Sequence, residues 1–363
     1  MNIEEDSFFK IAGIDNTSIS KPNATNQLKK IERQTIMKYR VLINTIMIIY
    51  TLIGHVLGLY LVLSHQIWLN LLGIILISHT SILAALLSHE FMHDTIFHQP
   101  KFNYWFGVLM SGINGASYVS FKLLKQQHID HHHNKVGYDG FSITTWTLSL
   151  PSILQALIVA LEFCYIPVLS FISRWRSLTV PLIEAKYQHL RVRIVTVFIC
   201  RSLFFACLFL IHPWSLLYIF CAHTAMINIL RVYDCYHHTF KIIPQGSAIP
   251  KLEKNYEQKN TFSSLISLKY YWLNWLFLNY GYHNAHHHKP NANWILLSQI
   301  NHELYGNSQA HCILFKDLIY WYHKNRINRI FRGIGTPKIE NGQLRIDEFW
   351  GVIMNISFIV YGV

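Results

Sequence analysis

The chain has 363 residues, 52% of them hydrophobic and only 14% charged, yet it carries 31 Lys+Arg against 19 Asp+Glu. Soluble proteins average about 25% charged residues, so this composition excludes an ordinary soluble domain and points to a membrane protein. The six cysteines lie at 164, 200, 207, 221, 235 and 312 and form no C-x-x-C. They read as small buried hydrophobes rather than a disulfide framework or a thiolate metal site.

Residues 1–35 are polar, contain no apolar core of a cleavable signal, and read as a flexible tail, with "NTSISKPNATNQ" inside it. Two apolar runs follow, 41–63 and 67–88, each long enough to span a bilayer. Only "SHQ" separates them, so they are expected to form a tight helical hairpin. Residues 194–211 and 214–230 make a second pair, turned by "HP" at 212–213, with Arg201 inside the third span. The shorter apolar segments 105–121, 147–172 and 264–280 are expected to be interfacial or buried helices, with a dip into the membrane as the alternative for any of them. The expected fold is an all-α integral membrane domain over 36–310. It has four transmembrane helices in two hairpins and a cytosolic helical region carrying the site, and 311–363 follows with no assigned role.

Basic residues precede spans one and three: Lys29, Lys30, Arg33, Lys38 and Arg40, then Arg174, Arg176, Lys186, Arg191 and Arg193. Both hairpin turns lack Lys and Arg. The positive-inside rule therefore places both chain ends and the middle region in the cytoplasm. It also accounts for the net +12 without nucleic acid, for which no aromatic-basic module is visible.

This topology gathers the histidines onto one membrane face. "SHEFMHD" closes the second span, "HIDHHH" lies at 128–133, "RVYDCYHHTF" follows the fourth span, and "HNAHHH" lies at 283–288. On a helix, positions i, i+3 and i+4 share a face. His89 with His93, His128 with His131 and His132, and His283 with His286 and His287 would each present their imidazoles together, and His238 stands at the same membrane face. Nine neutral nitrogen ligands exceed what one metal takes and suggest two, with room for a small molecule. His98 reads as a polar loop residue. His133, His237 and His288 read as residues beside the site or facing solvent. His55, His65, His79, His212 and His223 read as packing residues within or between spans. A metal transporter would need ionisable residues along a path through the spans, whereas the charges here avoid them except Arg201.

H-x-x-x-H followed by two H-x-x-H-H boxes between membrane hairpins resembles the membrane fatty acid desaturase and hydroxylase superfamily. It is most similar to bacterial and cyanobacterial acyl-lipid desaturases. The resemblance is carried by "LLSHEFMHDTIF", "HIDHHHNKVGYDGF", "RVYDCYHHTF", "YEQKNTFS" and "WLNWLFLNYGYHNAHHHKP". It implies a non-haem di-iron centre, O2 as co-substrate, a lipid acyl substrate, and a separate electron donor of ferredoxin or cytochrome b5 type. It maps the three boxes onto the eight histidines named above and His238 onto an additional ligand. Asp234 and His238, four residues apart, are expected on one face of a helix continuing from the fourth span. Asp234 falls where relatives carry a polar residue contacting a metal-bound water, and a pairing with Arg231 is the alternative for it. Hydroxylases and carotenoid ketolases share the boxes, so the reaction type stays open between them. The aromatic stretches 271–280 and 102–121 are candidate walls for the acyl chain, or simple packing surfaces.

Overall fold

The computed structural model describes residues 21–352, except 140, 245, 246, 254, 307, 309, 310 and 342. The expected tail therefore lies outside the described residues as far as residue 20, and a helix starts at Lys21. The chain divides into two compact units, one ending at Asn44 and one beginning at Thr45, and every histidine of the boxes lies in the second.

The chain is predominantly helical. The first helix, α1 (Lys21–Leu61), is followed by α2 (Ile67–Met92). After a long intervening region come α8 (Arg191–Ile211) and α9 (Ser215–Asp234). Four segments are long and apolar enough to cross a membrane: Tyr39–Leu61, Ile67–Met92, Ala185–Ile211 and Ser215–Asp234. The four-span expectation holds, with the second and fourth spans running four residues further than the apolar runs indicated. Those extra turns matter, because they carry α2 to the first histidine box and α9 to Asp234. Lipid-facing exposure of Leu203, Leu210 and Trp214 is what a bilayer would cover.

Between the hairpins lie α3 (Pro100–Ile113), α4 (Phe121–Asn134), α5 (Ile143–Ser149), α6 (Ser152–Phe163) and α7 (Val168–Ile183). The last two are bent by 112° at a short break. Pro167, which cannot donate a backbone N–H, sits at that break as the N-cap of α7. Segment 264–280 departs from the helical expectation: it is a short strand, β3 (Ser263–Leu265), followed by a 3-10 stretch over Tyr271–Phe277. Leu278 and Asn279 then take left-handed backbone, with φ of 48° and 51°. The buried Asn274 accepts from the Ile266 N–H and donates to the Ser267 carbonyl, tying the backbone into a turn where an apolar composition alone suited a helix.

Among the described residues, three two-stranded ladders interrupt the helices. Two are parallel and tie distant segments together: β1 (Gly137–Asp139) with β2 (Ile242–Pro244), and β3 with β4 (Cys312–Leu314). The first joins the exit of α4 to the segment after α9. The second draws in the C-terminal segment, whose Ile313, Leu318, Tyr322 and Phe349 pack with Cys235, Tyr236 and Phe262. The segment left without a role thus buttresses the chain around Asp234 and His238.

Candidate metal centre

Each histidine box is set by how its helix ends. In α2, His89 lies in the last turn and His93 is the C-cap; Asp94 takes left-handed backbone (φ 55°) and stops the helix. Lys125 pairs with Asp94 and links this end to α4. Ser120 caps α4 by accepting from the Leu123 N–H, and Lys135 (φ 56°) ends it. His128, His131 and His132 are buried while His133 is exposed, as helical spacing predicts. The third box rides on α10 (His283–His288), a helix of six residues with His288 alone exposed. Its entry needs Gly281: a Cβ there would stand 1.9 Å from the Ser264 carbonyl oxygen, whose residue accepts no such approach because its N–H already donates to the Gly281 carbonyl.

The structure brings all nine expected imidazoles together and sorts them into two groups. In the first, ligand nitrogens of His89, His93, His128, His132 and His286 all lie within 4.8 Å of one another. His93 Nε2 is 2.7 Å from His128 Nε2, which is 3.1 Å from His132 Nε2, itself 3.0 Å from His286 Nε2. In the second, His131, His238 and His287 meet the same criterion. His283 joins them, its Nε2 2.7 Å from His238 Nε2. The groups abut where the rings of His132 and His287 lie 4.2 Å apart. Two nitrogens about 2.1 Å from one cation stand about 3.0 Å apart at a right angle and about 4.2 Å apart across it. The observed spacings are of that kind.

Protonation agrees with a cation-binding role. Burial, reinforced by the neighbouring imidazoles, holds His93, His128, His132, His238, His283, His286 and His287 well below the ordinary histidine range. His131 is lowered by burial to about 4. Neutral rings are the metal-binding form. Nε2 of His89 and of His287 is buried without a hydrogen-bond partner, a costly state for a polar atom that a bound cation relieves. The donor set is all imidazole, which suits Fe, Zn, Cu or Ni.

The surrounding contacts aim the rings. His131 Nδ1–H donates to the Val136 carbonyl at 3.0 Å, which directs Nε2 inward. His238, bridged to Thr261, has Nδ1 3.4 Å from its hydroxyl. Two carboxylates escaped sequence reasoning. Glu257 Oε1 lies 3.1 Å from His287 Nδ1, while its other oxygen takes Lys135 Nζ at 2.9 Å. Buried Glu90 lies 3.4 Å from His89 Nδ1 and accepts from Thr95 Oγ1 and the Trp294 N–H. Both stand in stretches that carried the resemblance, "SHEFMHD" and "YEQKNTFS". For Glu90, next to His89, a carboxylate adjoining a metal-binding motif was the available signal; Glu257 stands beside no histidine box in the sequence.

Two expectations are corrected. Helix α9 ends at Asp234, so Asp234 and His238 do not share a helical face; a turn intervenes because Cys235 and Tyr236 are drawn into the core formed with the C-terminal segment. Asp234 instead lies 3.3 Å from His237 Nδ1. Nor does Arg231 pair with Asp234; it forms a buried ion pair with Glu162, Nη1 to Oε2 at 2.7 Å. His237 is buried beside the site, the first of the two places expected for it, and stacks on His283 at 4.0 Å. His98 is exposed in the loop after α2, as expected.

Residues 66–318, more than half the chain, match the family model described as fatty acid desaturase. The chain belongs to the fatty acid desaturase family. No curated protein and no solved structure compared with the chain matches it. Family membership together with four membrane-length apolar helices makes this a membrane protein. The match closes at 318, inside the C-terminal helix α11 (Phe315–Lys324) that packs behind Asp234–His238. The desaturase match thus covers every candidate ligand.

Proposed function

We propose that this protein is a membrane-bound, O2-dependent fatty acyl desaturase that inserts a double bond into a lipid acyl chain. The carrying observation is the sorting of nine buried imidazoles into two adjoining groups of five and four. His89, His93, His128, His132 and His286 would hold one iron, and His131, His238, His283 and His287 the other. Two irons bound there supply the redox chemistry that an unactivated C–H bond demands and that zinc lacks. Reduction of O2 to two waters takes four electrons: two leave with the substrate hydrogens, and two come from an external donor, a ferredoxin or cytochrome b5 type protein.

The chain's own residues position and insulate. Burial keeps the rings of His93, His128, His131, His132, His238, His283, His286 and His287 neutral. Glu257 and Val136 fix the orientation of His287 and His131, and Asp234 lies against His237, which in turn stacks on His283. Asp234 supplies negative charge beside two cations held by neutral ligands. The basic residues before spans one and three support a cytoplasmic orientation for this site.

Expression in a host lacking the activity, with lipid analysis, tests the reading. A new double bond is the expected product; a hydroxyl group or an altered carotenoid would show a hydroxylase or ketolase instead. His131→Ala and His286→Ala, one from each group, should each abolish turnover while the protein still inserts. Full activity in either inserted variant would refute the shared ligand set. Metal analysis should return about two irons per chain; zinc or copper without iron would favour metal handling over catalysis.

A further inference from the structure

A second feature lies away from the imidazoles. A cavity of about 560 Å³ sits among the spans, bordered by α1, α2, α8, α9 and the end of α3. This is the size of a small-molecule site, in the roughly 300–1,000 Å³ range. At about 30 Å³ for each water-sized group, it holds one hydrocarbon chain rather than two. Ser81 on α2 borders it, eight residues before His89, so the cavity lies roughly 12 Å along the helix from the first metal ligand.

Its chemistry is amphipathic. Leu59, Phe204 and Phe220 give apolar walls, and Phe204 and Phe220 are exposed on the outer surface of the spans, so the cavity is reached from the lipid side. Arg201, Ser117 and His223 give a polar end. Arg201 is always charged and stands near the middle of its span. Its hydrogen bonds, to the Gly112 carbonyl at 3.3 Å and the Ser117 hydroxyl at 3.2 Å, both use Nη1. Among the described residues, no Asp or Glu lines the cavity. An arginine at this depth is costly and marks a functional site unless a partner anion neutralises it. Sequence reading had set His223 and His55 aside as packing residues; both border this cavity.

We infer that the cavity is a lipid site that takes a single-chain amphiphile with an anionic head, carboxylate or phosphate, the head at Arg201 and the chain along Leu59, Phe204 and Phe220. The guanidinium supplies a charge-assisted hydrogen bond to the head. The walls supply apolar burial for the chain.

The test uses the full-length protein in nanodiscs and a fatty acid bearing a photoreactive diazirine, with labelled residues mapped by mass spectrometry. Labelling should fall on the cavity lining, Leu59 and residues within 201–223, and the methyl ester should label about tenfold less, as expected for loss of one hydrogen bond to a charged group. Arg201→Gln should reduce acid labelling to the ester level, while Arg201→Lys retains most of it. A Cβ at Gly112 meets nothing within 4 Å, so Gly112→Leu fills the cavity without disturbing the helix and should block labelling with metal content unchanged. Displacement of the probe by an unlabelled fatty acid or by a single-chain phosphate identifies the head, and either supports the inference. Equal labelling by acid and ester, wild-type labelling of Arg201→Gln or Gly112→Leu, or displacement by neither competitor would overturn it. None of these readouts depends on turnover.

Discussion

Glu257→Gln isolates one contact at the second imidazole group. The side chain is isosteric, so the helix and the Thr261 bond to the Glu257 carbonyl are kept. What changes is the partner of His287 Nδ1, 3.1 Å away: a carboxylate that fixes the ring and raises its basicity becomes a neutral amide. Hydrogen bonds to charged groups contribute about 1.5–3 kcal/mol, and each 1.4 kcal/mol is tenfold. Metal affinity at the group of His131, His238, His283 and His287 should therefore fall roughly 10–100-fold, the range found when such outer partners are lost. The other group makes no contact with Glu257 except through His132, so it should keep its ion. The assay is iron content after a timed chelator challenge, with activity alongside. Wild type should retain about two irons, and Glu257→Gln should pass through a plateau near one. Lys135→Met serves as the control. Its ion pair with Glu257 is partly exposed and contributes at most about 1 kcal/mol, so both irons should stay. Simultaneous loss of both irons in Glu257→Gln, or chelator resistance equal to wild type, would refute the argument.

Asp234→Asn should lower iron content or activity about 10–100-fold, whereas Arg231→Ala, which strands buried Glu162, should cost about 3–5 kcal/mol of stability and show in thermal unfolding; equal mild effects of both with iron unchanged would refute the role of Asp234. Acidification should weaken the metal-free protein: unfolded imidazoles take up protons near pH 6.5, but buried ones resist, His131 to about 4. Stability is then lost as pH falls from about 6.5 towards 4, by about 3 kcal/mol from His131 alone, and a melting temperature that is flat or rising between pH 7 and 5 would contradict this. A single cysteine placed at exposed position 288 should be labelled from the cytoplasmic side of sealed vesicles, and labelling only from the outside would reverse the topology.

The sequence by itself determined the spans, the hairpins and the nine histidines. Each is a local property: bilayer-length apolar runs, turns a few residues long, and imidazoles repeated at i, i+3 and i+4 on single helices. His133 and His288 were correctly set aside for the same reason, since helical geometry turns them about 100° from their neighbours. Only the tertiary structure decided how the nine divide between two groups. His132 and His131 are adjacent in sequence yet belong to different groups, because neighbouring positions on α4 face different partners. Only the tertiary structure brought Glu257 to His287 and Glu90 to His89 Nδ1, and turned Arg231 away from Asp234 towards Glu162, 69 residues distant. The helix carrying Asp234 stops there because Cys235 and Tyr236 are claimed by a core whose other half, Ile313 to Phe349, comes from the far end of the chain. Local periodicity carries no record of such contacts; they are set by which surfaces remain to be buried once the helices have formed.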